Sequence, residues 1–390
     1  MTFDTNDNGN ITRRNFFACC GRCALLLGGS QVIPWSMLAP RASAQEITKG
    51  LIGRKLSPYF TPLSGGRVRC ELCPRECETA DGERGQCRVR ENRDGKYYSL
   101  VYGNPCAIHI DPVEKKPFFH VLPASTSFSL ATAGCNFDCK FCQNWEISQA
   151  KPEDTLNYSL SPEQVVEKAA QYRCASIAST YVEPTIFIEY MIEIGKAAKR
   201  KRILNVMHSN GYINPGPLDD LCAHMDAACI DLKGFTEEYY RELTGGTLAP
   251  VLATLKQLKR RRIHTEIVNL VVTGKNDDLD RIRAMSQWIL KELGPDVPVH
   301  FTRFYPLYKL KSLQPTPIGT LEAAWKAARE EGLHFVYIGN VPGHPAGDTI
   351  CPGCRQTVIE RMGYSIKKVS LTDGKCSGCG REIPGIWKVA

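Results

Sequence analysis

The sequence has no uninterrupted apolar run of about 18 residues, so nothing in it reads as a membrane-crossing helix. It has no internal repeat and no low-complexity segment, which argues against a repeat architecture or a biased linker. Charge of one sign is not gathered anywhere: the formal net charge of +8 is spread through many short stretches rather than a basic tail. That is the balance of a mildly basic enzyme, compatible with a phosphate- or carboxylate-bearing substrate, and no nucleic-acid partner is expected from it. With 390 residues, 43% of them hydrophobic, the chain can bury a substantial core. An α/β barrel of about 200–250 residues would count as one of its domains.

Cysteine, by contrast, is plentiful and clustered, with eighteen in the chain. Cys19, Cys20 and Cys23 lie near the start. Cys70, Cys73, Cys77 and Cys87 form a second group, Cys135, Cys139 and Cys142 a third, and Cys351, Cys354, Cys376 and Cys379 a fourth. Close C-x-x-C and C-x-x-x-C spacing suits metal or iron–sulfur ligation better than a disulfide scaffold, which serves small domains short of core. Cys106, Cys174, Cys222 and Cys229 stand alone and read as small buried apolar residues.

Residues 1–44 have the layout of an export signal: a polar start, the pair Arg13–Arg14, a weakly apolar stretch and Ala42-Ser43-Ala44 before a cleavage point after Ala44. The run "TRRNFF" resembles the twin-arginine signal, whose pathway exports folded, cofactor-loaded proteins. On that reading the protein is periplasmic, the mature chain has no transmembrane segment, and Cys19, Cys20 and Cys23 leave with the leader.

From about residue 127 the chain alternates β-branched or apolar runs with amphipathic stretches. Strands are predicted at 127–134, 174–180, 203–209, 227–233, 264–274 and 297–304. Helices are predicted between them, as in "SPEQVVEKAAQY", where Ser161 caps and Pro162 takes the first helical position, and again in "DLDRIRAMSQWILKEL" and "TLEAAWKAAREEG". Such alternation predicts an α/β fold, a parallel sheet with helices outside it, closed into a partial (β/α)6 TIM-like barrel with function at the C-terminal strand ends. The expected domains are an N-terminal cysteine-rich module over 45–115, the barrel over 116–345 and a C-terminal zinc-ribbon-like module over 346–390.

In "AGCNFDCKFCQNWEISQ" the cysteines stop at three. They follow the first predicted strand, with Gly134 allowing a sharp exit. Iron–sulfur clusters normally take four thiolates. Three therefore leave one iron open to a small molecule, and Phe141 is placed to shield the site. A zinc site or electron-transfer cluster completed by a distant ligand is the competing reading.

The motif resembles that of the radical S-adenosylmethionine (radical SAM) superfamily. The ordered set "CELCPRECETADGERGQCRVR", "DPVEKKPFFH", "GCNFDCKFCQNWEISQ", "TYVEPTIFIEY", "DLKGF" and "YIGNVPG" is similar to the AmmeMemoRadiSam-system radical enzymes, relatives of pyruvate formate-lyase activating enzymes, over roughly residues 67–390. The resemblance implies a radical SAM barrel and a [4Fe–4S] cluster on Cys135, Cys139 and Cys142. It implies S-adenosylmethionine bound at the open iron, and a 5′-deoxyadenosyl radical that abstracts hydrogen from substrate. It also implies a reductant such as flavodoxin or ferredoxin, with partner proteins of the same system as candidate substrates. Reductant and cofactor are cytoplasmic supplies, which sets this reading against export.

Residue by residue, Glu183 and Pro184 match the end of the element that receives the cofactor's amino group, while Val182 stands where Asn is expected. Asp231 and Lys233, two apart in a predicted strand, face one side and resemble the Asp-x-Lys whose lysine reaches the cofactor carboxylate. Ser209, Asn210 and Gly211 are candidate ribose or substrate contacts, and His300 a candidate at the sixth strand's open end. His109, Asp111, Glu114, Lys115, Lys116 and His120 form a dense polar run, read either as a solvated turn or as a substrate contact.

Cys351-Pro-Gly-Cys354 and Cys376-Ser-Gly-Cys379 have the pattern of a structural, closed zinc ribbon. Cys70, Cys73, Cys77 and Cys87 suit either zinc or an auxiliary [4Fe–4S] cluster, because a thiolate quartet does not by itself name its metal. The expected function is a radical SAM enzyme, possessing glycyl-radical activase character in one version. The alternatives are a non-catalytic iron–sulfur or zinc protein for electron transfer or scaffolding, and a methyl transferase.

Overall fold

The computed structural model describes residues 47–389. The predicted leader, with Cys19, Cys20 and Cys23, lies outside the described residues. Among the described residues no helix is long and apolar enough to cross a membrane.

Period and capping explain the helices. Ser161 accepts from the Gln164 amide at 3.2 Å while the Gln164 side chain accepts from the Ser161 amide at 2.8 Å, a reciprocal cap. Helix α1 (Pro162–Gln171) then turns Val165, Val166 and Ala169 inward. Likewise Asp278 accepts from the Arg281 amide and starts the helix that buries Ile282, Met285 and Ile289 on one stripe.

The central sheet has eight strands in sequential order. They are β1 (Ala107–Pro112), β2 (Thr126–Ala131), β3 (Ser176–Ser179), β4 (Leu204–Ser209), β5 (Ala227–Asp231), β6 (His264–Val271), β7 (Val299–Arg303) and β8 (Val336–Gly339). From β2 to β8 every neighbouring pair is parallel, and β1 runs antiparallel to β2. Between consecutive parallel strands lie α1, α2 (Ile188–Arg200), α3 (Pro215–Cys222), α4 (Leu248–Arg260), α5 (Leu279–Glu292) and α6 (Ile318–Glu330). These six β/α units are the predicted partial barrel, and β8 ends the last of them. The six predicted strands are all present. Two strands were not predicted: β8, four residues long, and β1, which occupies the start of the polar run at 109–120. That run is therefore partly an edge strand and not simply a solvated turn, because Asp111 is buried and paired.

The sheet does not close on itself, leaving β1 and β8 as its two edges. Phe119, just past β1, meets Tyr337 of β8 with ring centroids 4.8 Å apart. Buried Arg361 lies over the Phe119 ring at 4.2 Å and donates to the Phe119 carbonyl at 2.8 Å. Arg361 comes from the C-terminal module of antiparallel strands β9 (Thr349–Ile350), β10 (Thr357–Met362) and β11 (Ser365–Val369), of which Val358 and Ile359 of β10 share a hydrophobic cluster with Phe119, Phe335 and Tyr337, and Ile366 of β11 packs against it. The N-terminal module is built of short strands such as Phe60–Pro62, Val68–Cys70 and Glu78–Thr79. Its Val68, Leu72 and Val89 belong to the same continuous core as the barrel strands and helices.

Candidate functional site

A cavity of about 290 Å³ opens at the C-terminal ends of the parallel strands, where barrel sites are found. Cys135, Cys139 and Cys142 all line it. Their loop leaves β2 through Gly134, whose φ of +89° puts it in the left-handed region. A Cβ there would stand 2.4 Å from the Cys87 carbonyl oxygen, so this position needs glycine for space as well as for conformation. Two amides fasten the loop, Asp138 N to the Thr244 carbonyl and Lys140 N to the Leu243 carbonyl, both at 2.9 Å. Phe141 is buried and lines the cavity.

Burial raises the Cys135 thiol well above its ordinary range, with the Glu183 carboxylate adding to the shift. Burial likewise pushes Cys139 up to about 12, although the Lys233 ammonium works in the opposite direction. Cys135 and Cys139 are thus neutral as free thiols, and binding metal as thiolates would release their protons. Among the described residues, the group whose ligand atoms all lie within 4.8 Å of one another is Cys351, Cys354, Cys376 and Cys379. Three soft donors on the wall of one cavity, with no fourth cysteine in their loop, fit a polynuclear cluster with one open corner better than a closed single-ion site.

Glu183 is a buried hub between the ends of β3 and β4. Its carboxylate accepts from the Thr185 amide at 3.0 Å, the Thr185 hydroxyl at 2.6 Å, the Ser209 hydroxyl at 2.7 Å and the Asn210 amide at 2.7 Å. Ser209 is thereby committed to holding Glu183, and it does not line the cavity, whereas Glu183 and Asn210 do. Asn210 also donates to the Asn136 side chain at 2.8 Å, tying β4 to the cysteine loop. Burial alone raises the Glu183 pKa, against the pull of its Thr185, Asn210 and Ser209 donors.

Lys233 Nζ lies 2.7 Å from Asp231 Oδ2, and both line the cavity. The predicted strand that carries both, however, ends at Asp231. The chain turns there, with the Leu232 amide donating to the Ile230 carbonyl, so the two side chains meet across a turn and not by strand alternation. His208 Nε2 reaches the other carboxylate oxygen, Oδ1, at 2.8 Å. Burial works to raise Asp231, but Lys233 and His208 overcome it and hold the carboxyl far below its usual range. Sequence reasoning missed His208, whose signal was a histidine inside an apolar strand pattern.

His300 lines the cavity from deep in the barrel, as the second residue of β7, and not from that strand's open end. Its Nε2 bonds Glu266 Oε2 at 2.7 Å. Glu266 also accepts from the Phe119 and His120 amides and lies 3.3 Å from His264 Nε2. His120 in turn bonds the Pro384 carbonyl and the Tyr337 hydroxyl, and burial lowers its pKa to about 3.

The run at 109–120 enters the cavity through Glu114. One Glu114 oxygen accepts from the Ala124 amide at 2.8 Å, while Oε2 is buried without a partner. Asp111 accepts from Lys115 at 2.9 Å, from Lys116 and from the Tyr181 hydroxyl. Tyr181 has φ +67°, a strained value for a non-glycine residue, and its carbonyl accepts from Asn144 at 2.7 Å. Tyr181, Asn144, Asn340 and Tyr364 all line the cavity, and so does Val182 at the place where an amide was expected. Tyr364 belongs to the β10–β11 turn and could not be placed here from sequence, because contact across the chain depends on the tertiary fold.

The C-terminal quartet is compact: the sulfurs of Cys351 and Cys379 are 3.6 Å apart, and those of Cys354 and Cys376 are 3.6 Å apart. A tetrahedral ion with metal–sulfur bonds of about 2.3 Å needs sulfurs about 3.8 Å apart. Cys70, Cys73 and Cys87 are buried and Cys77 half-buried.

Residues 129–289 match the radical SAM superfamily. The chain is 44% identical over 327 residues to an uncharacterised protein of Methanocaldococcus jannaschii, covering 83% of this chain and 97% of that protein. It is 21% identical over 211 residues to the pyruvate formate-lyase 1-activating enzyme of Escherichia coli K12, covering 48% of this chain and 82% of that enzyme. A radical SAM methyltransferase structure from Sphaerobacter thermophilus aligns with 72% of this chain and 76% of its own at 12% identity and a TM-score of 0.45. The chain belongs to the radical SAM superfamily and is related to the pyruvate formate-lyase activating enzymes.

Proposed function

We propose that this enzyme generates a 5′-deoxyadenosyl radical in the cavity beside Cys135, Cys139 and Cys142 and uses it to abstract hydrogen from a protein or peptide substrate, as a glycyl-radical activase does. The observation that carries the reading is the three-thiol loop opening onto a cavity with a paired lysine on its wall. When bound, the reduced [4Fe–4S] cluster would supply one electron to the sulfonium of S-adenosylmethionine, and the cofactor would supply the 5′-deoxyadenosyl group for hydrogen abstraction, leaving methionine.

The chain's own residues bind, orient and exclude water. Cys135, Cys139 and Cys142 hold the cluster. Lys233, kept cationic by Asp231, offers a charge to the cofactor carboxylate, and His208 fixes the far side of Asp231. Glu183 has fewer donors on Oε2 than on Oε1, which leaves acceptor capacity for the cofactor ammonium, and Ser209 and the Asn210 amide hold it in place. Phe141 keeps bulk water from the reacting centre. Glu114 presents its unpartnered oxygen to substrate, and His300 is held by Glu266 beneath it. A large substrate is favoured by the apolar groups around the opening. Tyr364 lines it and is 45% exposed, and Tyr305, 40% exposed, donates to the carbonyl of cavity-lining Asn340.

The four C-terminal thiolates hold structural zinc, and a low-potential flavodoxin or ferredoxin supplies the electron. Anaerobic reconstitution, reduction and addition of S-adenosylmethionine test the reading. Formation of 5′-deoxyadenosine supports it; an intact cluster without that product refutes it, and S-adenosylhomocysteine in its place would assign methyl transfer.

A further inference from the structure

The N-terminal quartet differs from the C-terminal one in its sequence spacing. Its sequence spacing is Cys70-x2-Cys73-x3-Cys77, the reverse of Cys135-x3-Cys139-x2-Cys142, with Cys87 added. The C-terminal quartet instead consists of two C-x2-C turns, the usual frame for one tetrahedral ion. All four C-terminal sulfurs lie within 4.8 Å of one another, a cage for a single ion, and the N-terminal spacing is shared, reversed, with the 135–142 loop.

The quartet also lies directly against that loop. The Cys87 carbonyl oxygen occupies the space where a Gly134 Cβ would be, one residue before Cys135. Arg75, between Cys73 and Cys77, donates to the Asn136 carbonyl at 2.9 Å. Arg88 and Gln86, flanking Cys87, bond the Asp138 carboxylate at 3.0 and 2.8 Å. Within the quartet, the Cys70 amide donates to the Cys77 carbonyl and the Gln86 amide approaches Cys77 Sγ at 3.5 Å, the kind of contact that tunes a cluster's potential.

We propose that Cys70, Cys73, Cys77 and Cys87 hold a second iron–sulfur cluster, closed by four thiolates and set against the loop that carries the first. Four thiolates leave no position for substrate, so its chemistry is one-electron transfer. It takes one electron from a reduced flavin or iron–sulfur protein and gives one up again, with no bond made or broken. The inference rests on the reading that Cys135, Cys139 and Cys142 carry a [4Fe–4S] cluster.

The test uses the full chain reconstituted anaerobically with iron, sulfide and zinc. About eight irons, about eight acid-labile sulfides and one zinc per chain are expected, since each cubane brings about four of each. About four irons, about four sulfides and two zincs would overturn the proposal. In the Cys135→Ala/Cys139→Ala/Cys142→Ala variant, about four sulfides and a reduced EPR signal unaffected by S-adenosylmethionine are expected to remain. Zinc without sulfide in that variant overturns the proposal independently. In the Cys73→Ala/Cys87→Ala variant, the cofactor-responsive signal is expected to survive and the unresponsive one to vanish. Loss of neither signal there also overturns it. A wild type whose only signal ignores S-adenosylmethionine would instead refute the reading of the 135–142 loop, so the two failures are distinguishable.

Discussion

The cysteine loop at 135–142 and the quartet at 351–379 are both built on short turns with glycine beside them, yet they present their thiols differently. The first opens into a cavity with Glu183, Asp231 and Lys233 on its walls; the second faces its own sulfurs, 3.6 Å apart in pairs. A ligand set that saturates its metal leaves no position for substrate. One that falls a ligand short can do chemistry if the protein furnishes the surrounding charges. The third group, at 70–87, has the four cysteines of one and, reversed, the sequence spacing of the other.

The largest effect should come from Cys139→Ala. It is expected to lose about four irons per chain and to abolish 5′-deoxyadenosine formation, while the C-terminal metal content stays unchanged. Metal analysis and product assay on the same sample check both halves. Cys354→Ser is its counterpart. It should release the C-terminal ion and lower Tm by several degrees or more, since a structural metal's binding energy is folding energy, yet leave the iron of the 135–142 loop bound. If it also emptied that loop, the separation drawn between the two sites would fail.

Lys233→Ala sharpens the account of the open site. The cluster should persist while S-adenosylmethionine binds about 10- to 100-fold more weakly, corresponding to a charged hydrogen bond worth about 1.5–3 kcal/mol. Equal affinity in calorimetry would remove Lys233 from the cofactor site.

Acid exposes the barrel floor. His120 is held to about 3 by burial, against about 6.5 for an unfolded histidine. Between those values the unfolded chain binds the extra proton. The associated stability is therefore fully present above about pH 6.5 and lost as pH falls toward 3, by an amount on the order of a few kcal/mol. Urea midpoints across that range should fall for the wild type and fall less steeply for His120→Gln. The smallest effect is expected of Glu114→Gln, which keeps the acceptor for the Ala124 amide. It should alter substrate KM several-fold, with uncoupled 5′-deoxyadenosine formation unchanged.

Much of the barrel was legible because its signals are local. Ser161, Pro162 and Gln164 announce a helix start, and the structure shows that cap formed. The three cysteines announce their loop by spacing alone. What was not legible depends on partners distant in the chain. The strand at Ala107–Pro112 carries His109 and Asp111, which disguise it until Lys116 and Tyr181 are seen to pair Asp111. His208 acquires meaning only from Asp231, 23 residues later. Lys233 was placed in a strand that in fact ends two residues earlier, and it reaches Asp231 because the chain turns. Strand β8 is four residues of an apolar run too short to assign by period.

The unclosed edge between β1 and β8 gives Arg361 a significance beyond packing. Its guanidinium joins the C-terminal module to Phe119 and Tyr337 across the gap between the first and last strands. Arg361 and its aromatic neighbours fill the side on which the sheet stops, so the C-terminal module takes the place that a closing strand pair would otherwise occupy.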